Sequence, residues 1–185
     1  RTNDTMTKEN TSRQVLLLNS SWEVMRIIGW QRAVNLYFTH KAVTPAGHDD
    51  FYSITTNGGV YTLPSVLVLK SYVNIPYHSL IPSRKNIFRR DGLICQFTGK
   101  QLTFSNATID HVLPTSRGGV HSWENCVTCD RKVNQKKGDR TPAEAGLKLL
   151  QKPKKPSRAG LVLGLHRNEE RWHNFMPKEL QGNIV

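Results

Sequence analysis

Residues 109–141 read IDHVLPTSRGGVHSWENCVTCDRKVNQKKGDRT. Asp110 and His111 are adjacent, and Asn125 and Asn134 follow Asp110 at +15 and +24. An acidic residue next to a histidine places an oxygen metal ligand beside a nitrogen base, and a downstream amide adds a neutral oxygen ligand. Thr108 to Leu113 reads as a strand carrying the Asp-His pair. Pro114 to Trp123, with Gly118-Gly119, reads as a loop, and Cys126 to Thr128 as a second short strand. Asp130 is placed to cap a helix running to Lys137. On a strand, neighbours 110 and 111 point to opposite faces, so both reach one site only at the strand's end.

Upstream of this stretch, Ser83 is a helix cap for Arg84 to Arg90, and Gly92 is a terminator. A hairpin is expected next: Leu93 to Phe97, a Thr98-Gly99-Lys100 turn, then Gln101 to Phe104. Nearer the N-terminus, Val15 to Leu18 reads as a buried strand, Asn19-Ser20-Ser21 as a turn, and Val24 to Ile28 as a hairpin partner. Ala33, Val34, Tyr37 and Phe38 share one helical face within Trp30 to His40. Phe51 to Thr55 and Val60 to Leu63 are strand-like around an Asn57-Gly58-Gly59 turn. Val66 to Val73 fits helix or strand. Downstream, Thr141-Pro142-Ala143-Glu144 has the form of a capping box with Pro at the first helical position. Lys152-Pro153-Lys154-Lys155-Pro156 reads as a basic linker. The organisation expected is a disordered stretch 1–14, an α+β extension 15–80, a compact module 81–150, and a basic linker with a tail at 151–185.

The 185 residues carry 26 Lys and Arg against 14 Asp and Glu, a net charge of +12. Between Arg131 and Arg158 ten basic residues face only Asp139 and Glu144, and Arg84, Lys85, Arg89 and Arg90 form a second cluster. Such charge points to a polyanionic partner, nucleic acid above all. Apolar runs are too short to span a membrane. The opening RTNDTMTKENTSR lacks the apolar core of a signal peptide. Three cysteines do not make a disulfide framework, which favours a reducing, cytoplasmic setting.

The combination D-H-x-x-P, S-R-G-G, E-N nine residues before the last Asn, and K-G-D-R resembles the HNH endonuclease family, the ββα-metal fold. VLLLNSSWEVMRIIGWQRAV, LPSVLVLKSYV and SRKNIFRRDG are similar to the N-terminal part of one bacterial and phage branch, so the likeness covers about Val15 to Leu150. The implied fold class is α+β: a ββα-metal module with a small mixed α/β N-terminal region. The resemblance implies a DNA endonuclease leaving 5′-phosphate and 3′-hydroxyl ends. His111 is the expected general base, since imidazole titrates near neutrality. Asp110 and Asn134 are the expected ligands of one Mg²⁺, with Mn²⁺ as substitute, and Asn125 is expected to bridge backbone groups and orient the histidine. Arg117, Lys136, Lys137 and Arg140, together with Arg84, Lys85, Arg89 and Arg90, are candidate phosphate contacts on double-stranded DNA. His121 and Glu124 have no expected part in the mechanism. Trp22 and Trp30 are expected as core anchors of the extension.

Many members of this branch hold a structural zinc with two C-x-x-C pairs. The positions fall here on Cys95 and Thr98 and on Asp130 and Val133, so three of the four are not cysteine. The structural zinc is expected to be absent, and Leu93, Phe97, Leu102 and Phe104 are then expected to hold the hairpin by packing. A rearranged set of Cys95, Cys126 and Cys129 with His121 is the alternative. A nucleic-acid-binding protein that keeps the fold without cutting alone, one active only with a partner, and a secreted nuclease toxin are the competing functions. Monomer or homodimer, and nicking or double-strand cutting, stay open.

Overall fold

The computed structural model describes residues 13–75 and 80–181. The expected disorder over 1–14 therefore falls almost entirely outside the described residues, and Gln14 already begins a strand. The chain forms two compact units, one of residues 13–75 with the segment Glu169–Met176, the other of residues 80–168 with 177–181.

In the first unit, β1 (Gln14–Leu18) and β2 (Val24–Gly29) form the expected antiparallel hairpin, and α1 (Trp30–Phe38) follows directly. A two-residue strand β3 (Ala42–Val43) comes next, and β4 (Phe51–Thr56) pairs with β5 (Gly59–Pro64) around the tight turn. The ambiguous apolar run settles as a strand, β6 (Val66–Leu69), parallel to β1 in a sheet ordered β2-β1-β6-β3. Val66, Leu67 and Val68 are all buried, so the run lacks the alternation that marks a half-exposed strand. Val15, Leu17, Ile28, Ala33, Ile54, Leu63 and Leu67 form the core, with Trp30 packed against it. Trp22 is a correction: it occupies a turn at φ 67° and is 54% exposed, so it anchors nothing. A second correction is Trp172, in a segment expected as tail. It is buried in this unit and its indole N–H donates to the Ser65 carbonyl at 3.0 Å.

In the second unit, α2 (Arg84–Arg90) starts at Ser83, whose hydroxyl accepts from the Asn86 amide. Gly92 ends it at φ +65°. The expected hairpin over 93–104 reduces to one bridge, Ile94 to Gln101, because Leu93 lies at φ 56° and Gln101 Nε2 donates to the Gly92 and Leu93 carbonyls. Leu93, Phe97 and Leu102 pack as expected with Phe88, Cys95, Val127 and Cys129, whereas Phe104 is 56% exposed and only leans on Phe88. Strands β7 (Ala107–His111) and β8 (Cys126–Asp130) pair antiparallel, and α3 (Arg131–Lys137) begins at Asp130, whose carboxylate accepts from the Lys132 amide. This is a ββα unit within an α+β chain.

The capping box at Thr141 forms, with Glu144 Oε2 accepting from the Thr141 amide at 2.8 Å, yet only turns follow. Gly146 at φ +66° breaks the chain before the cost of helix nucleation is recovered. Residues 152–157 have no regular structure. The remainder of the expected tail contains α4 (Arg158–Leu163), with Leu161 and Leu163 buried, and α5 (Lys178–Gln181). At six residues α4 is under two turns long, too short for its apolar residues to register as a period. No helix among the described residues is long and apolar enough to cross a membrane.

Candidate functional site

The β7–β8 hairpin and α3 bring the sequence-predicted residues to one cleft of about 260 Å³, lined by Ile109, Asp110, His111, Pro114, Asn134 and Lys137 among others. Asn134 and Lys137 are three apart on α3 and share the face turned to β7. The Asn134 side-chain amide donates to the Ile109 carbonyl at 3.2 Å, which fixes the amide group across the strand. Lys137 Nζ donates to Asp110 Oδ1 at 3.0 Å and to the His111 carbonyl at 3.0 Å. Asp110 Oδ2 is buried and has no hydrogen-bond partner. Burial pushes the Asp110 carboxyl up, against the pull of Lys137. A buried carboxylate oxygen without a partner is costly unless a cation meets it. Asp110 Oδ2 with the amide oxygen of Asn134 is thus a donor set that fits a hard divalent ion.

His111 closes β7 and stands directly opposite Cys126. Its Nε2 lies 3.1 Å from His121 Nδ1, and His121 Nε2 lies 2.7 Å from the Pro82 carbonyl. That carbonyl only accepts, so His121 Nε2 carries a hydrogen and, in the neutral ring, Nδ1 is bare. His111 Nε2–H then donates to His121, which leaves the lone pair of His111 on Nδ1. Burial pulls the His111 imidazole below its ordinary value, and His121 lowers it further. The neutral, proton-accepting form is favoured.

Asn125 bridges backbone groups across the loop. Its Oδ1 accepts from the Leu113 amide at 2.8 Å, and its Nδ2 donates to the carbonyls of Leu113 at 3.0 Å and Val120 at 2.9 Å. Gly119 is required beside it, since a Cβ there would lie 1.9 Å from the Leu113 carbonyl oxygen. Arg117 makes two 2.8 Å bonds to Glu144, tying the loop to the turn after α3.

The basic candidates divide. Arg84, Lys85, Lys136, Arg117 and Arg140 are exposed and Arg89 is half-buried. Arg90 and Lys137 are corrections, because both are buried and engaged internally. Arg90 grips Asp91 through Nε at 2.7 Å and donates to the Trp123 and Cys126 carbonyls at 2.6 and 2.7 Å, while Asp91 accepts from the Thr128 amide at 2.7 Å. It is a structural hub joining α2, the loop and β8, unsuited to meeting a phosphate.

Residues 95–150, which include this cleft, match the family described as HNH endonuclease, and residues 15–77 match the HNH endonuclease-associated N-terminal domain. The chain belongs to the HNH endonuclease family. A 64-residue stretch is 34% identical to a CRISPR-associated endonuclease Cas9 of Corynebacterium diphtheriae, covering 31% of this chain and 6% of that protein.

Against the HNH pattern, the alternative four-ligand zinc set does not assemble. Cys95 and Cys129 lie in one core cluster, where Cys95 Sγ accepts from the Asp130 amide, while Cys126 lies in another beside His121. Bonding with Cys129 draws the Cys95 thiol down to about 4 and pushes that of Cys129 up. Sequence reasoning read Lys137 as a phosphate contact, whereas it is buried against Asp110, and gave His121 a part only in the alternative zinc set, whereas its ring meets that of His111. The +3 spacing puts Lys137 on the Asn134 face of α3 but does not name the carboxylate it meets, and the approach of His121 depends on loop closure.

Proposed function

We propose that this chain is a metal-dependent endonuclease that hydrolyses phosphodiester bonds of double-stranded DNA. The observation that carries the reading is the buried, unpartnered Oδ2 of Asp110 beside Asn134 and His111 in one cleft. Asp110 and Asn134 would hold a single divalent ion, Mg²⁺ by the hardness of these oxygen ligands, with Mn²⁺ as substitute. The chemistry such an ion supplies when bound is neutralisation of charge on the phosphate and leaving oxygens. His111 Nδ1 takes the proton of the attacking water, and the His111 Nε2–H bond to His121 holds the ring in the required tautomer. Asn125 keeps the loop closed over the strand end, and the exposed basic residues steer and fix the phosphate backbone. One site cuts one strand at a time, so double-strand cutting needs two copies or two encounters. The working compartment in this reading is the cytoplasm.

A binding module that keeps the fold without cutting alone is the competing reading. Its support is the Lys137–Asp110 pair, because an ammonium already meets one oxygen of the expected metal ligand. Incubating purified protein with supercoiled plasmid in Mg²⁺, Mn²⁺ or EDTA separates the two. Nicked or linear product in Mg²⁺ or Mn²⁺ and none in EDTA is the expected result. Intact DNA binding without cutting under any metal would favour the module, and undiminished cutting in EDTA would remove the metal from the mechanism.

A further inference from the structure

His111, His121 and Cys126 bring three soft or borderline ligand atoms together, all within 4.8 Å of one another. His111 and Cys126 are register partners across β7 and β8, which puts their side chains on one face of the hairpin. The loop returns His121 onto that face. His121 Nδ1 lies 3.1 Å from His111 Nε2 and 3.3 Å from Cys126 Sγ. Tetrahedral zinc, with Zn–N of 2.0–2.1 Å and Zn–S of 2.3 Å, requires ligand separations of about 3.3 Å between nitrogens and about 3.6 Å between nitrogen and sulfur. The two distances to His121 differ from these by only a few tenths of an ångström, and the remaining pair, His111 with Cys126, lies within 4.8 Å.

The surroundings are also those of a ligand set. His121 Nε2 meets the Pro82 carbonyl at 2.7 Å, the outer hydrogen bond that fixes a metal-binding imidazole with its other nitrogen bare. Cys126 is buried while His121 is exposed, so a fourth position is open on the solvent side. Asp110 contributes no ligand atom to this cluster, which shares only His111 with the cleft that Asp110 and Asn134 line.

We infer that His111, His121 and Cys126 form a second metal site, selective for thiolate-seeking ions of the Zn²⁺ class and closed to Mg²⁺, whose occupation withdraws His111 from base duty. Selectivity follows from the ligands, since a thiolate with two imidazoles suits Zn²⁺ or Co²⁺ and disfavours a hard ion. An ion on His111 Nε2 takes the lone pair of that nitrogen and replaces the hydrogen bond to His121, so in the neutral ring the hydrogen moves from Nε2 to Nδ1, which then has no lone pair with which to accept a proton. The inhibitory consequence rests on the nuclease reading; the binding site does not.

Titration of the whole chain with Co²⁺ in Mg²⁺-containing buffer tests the site without activity. One Co²⁺ per chain with a thiolate-to-cobalt charge-transfer band in the near ultraviolet is expected. The band should vanish in Cys126→Ser, which retains Cys95 and Cys129. His121→Gln, at an exposed position, checks the site without disturbing the core and should weaken Co²⁺ binding by more than about tenfold. A band that persists in folded Cys126→Ser would move the ligand to Cys95 or Cys129 and overturn the proposal, as would absence of any band in the wild type. In plasmid cleavage, stoichiometric Zn²⁺ should suppress the Mg²⁺ reaction of the wild type and spare that of Cys126→Ser. Equal suppression of both would overturn the inhibitory role, and absence of cleavage at any metal would fail the nuclease reading while leaving the Co²⁺ result to decide the site.

Discussion

Lys137 Nζ lies 3.0 Å from Asp110 Oδ1 and 3.0 Å from the His111 carbonyl, so one buried ammonium secures both members of the Asp-His pair. The pair neutralises one carboxylate oxygen and leaves the other for a cation. Breaking a buried pair from one side strands the partner's charge, at a cost of about 3–5 kcal/mol. Lys137→Met should therefore lower stability by about that amount at neutral pH. Burial already raises the Asp110 carboxyl above its ordinary 3.8, and loss of the ammonium raises it further. A raised carboxyl lets the folded state hold its proton longer than the unfolded chain does. Stability of the variant should thus fall as pH rises from 3.8 through the folded value. Urea denaturation of Lys137→Met and wild type across that range tests this, and equal stability of the two would contradict it.

Arg90 satisfies three carbonyls and a carboxylate with one planar fork. Arg90→Ala should cost about 3–5 kcal/mol. Arg90→Lys should fail to restore it, since a point ammonium cannot reproduce the fork. Thermal melts of the two variants decide the matter; a neutral Arg90→Lys would show that charge alone suffices.

Gly119→Ala places a methyl group 1.9 Å from the Leu113 carbonyl oxygen and 2.9 Å from Asn125 Nδ2. Opening the loop to relieve it should cost at least about 1–3 kcal/mol and reduce cleavage by more than the melting shift explains. Asn125→Ala, which frees the same loop by removing three hydrogen bonds, should reproduce the loss. Wild-type cleavage in either variant would show that the loop does not position His111.

His111 is held below the ordinary imidazole value, first by burial and then by His121. The neutral base should persist to lower pH than in a free histidine, whose value is about 6.5. Single-turnover cleavage should rise with pH through a midpoint that lies below that value. The same shift stabilises the fold above about pH 6.5, and that contribution is lost as pH falls through the folded value. A rate break above 6.5 would contradict the assignment of burial as the dominant cause.

Arg84, Lys85, Lys136 and Arg140 are exposed, and they are the phosphate contacts the proposed function calls on. Replacing Lys85 or Lys136 by Ala should reduce the slope of log affinity against log salt by about 0.9 each on duplex DNA. An unchanged slope would place the DNA elsewhere.

Most strands and the capped helices were legible because they rest on local signals, such as Ser83 and Asp130 as caps and the Asn57-Gly58-Gly59 turn. The Asp110–Asn134 juxtaposition was legible only through the resemblance, since spacing alone does not say that α3 crosses β7. Illegible features depend on tertiary contacts. Trp172 and Leu161 find buried positions from a segment of high charge and proline content, and Trp22 loses its place because its turn demands φ > 0. Arg90 and Lys137 read as surface charge because nothing in the chain announces the carboxylates and carbonyls that receive them.

Cleavage by His111→Ala, measured beside wild type with duplex binding followed in parallel, tests the assignment of the base most directly. Binding should be retained and Mg²⁺-dependent cutting lost by at least about 10²-fold, the contribution of a positioned general base. Undiminished cutting by the variant would show that His111 is not the base and that the cleft works by other chemistry.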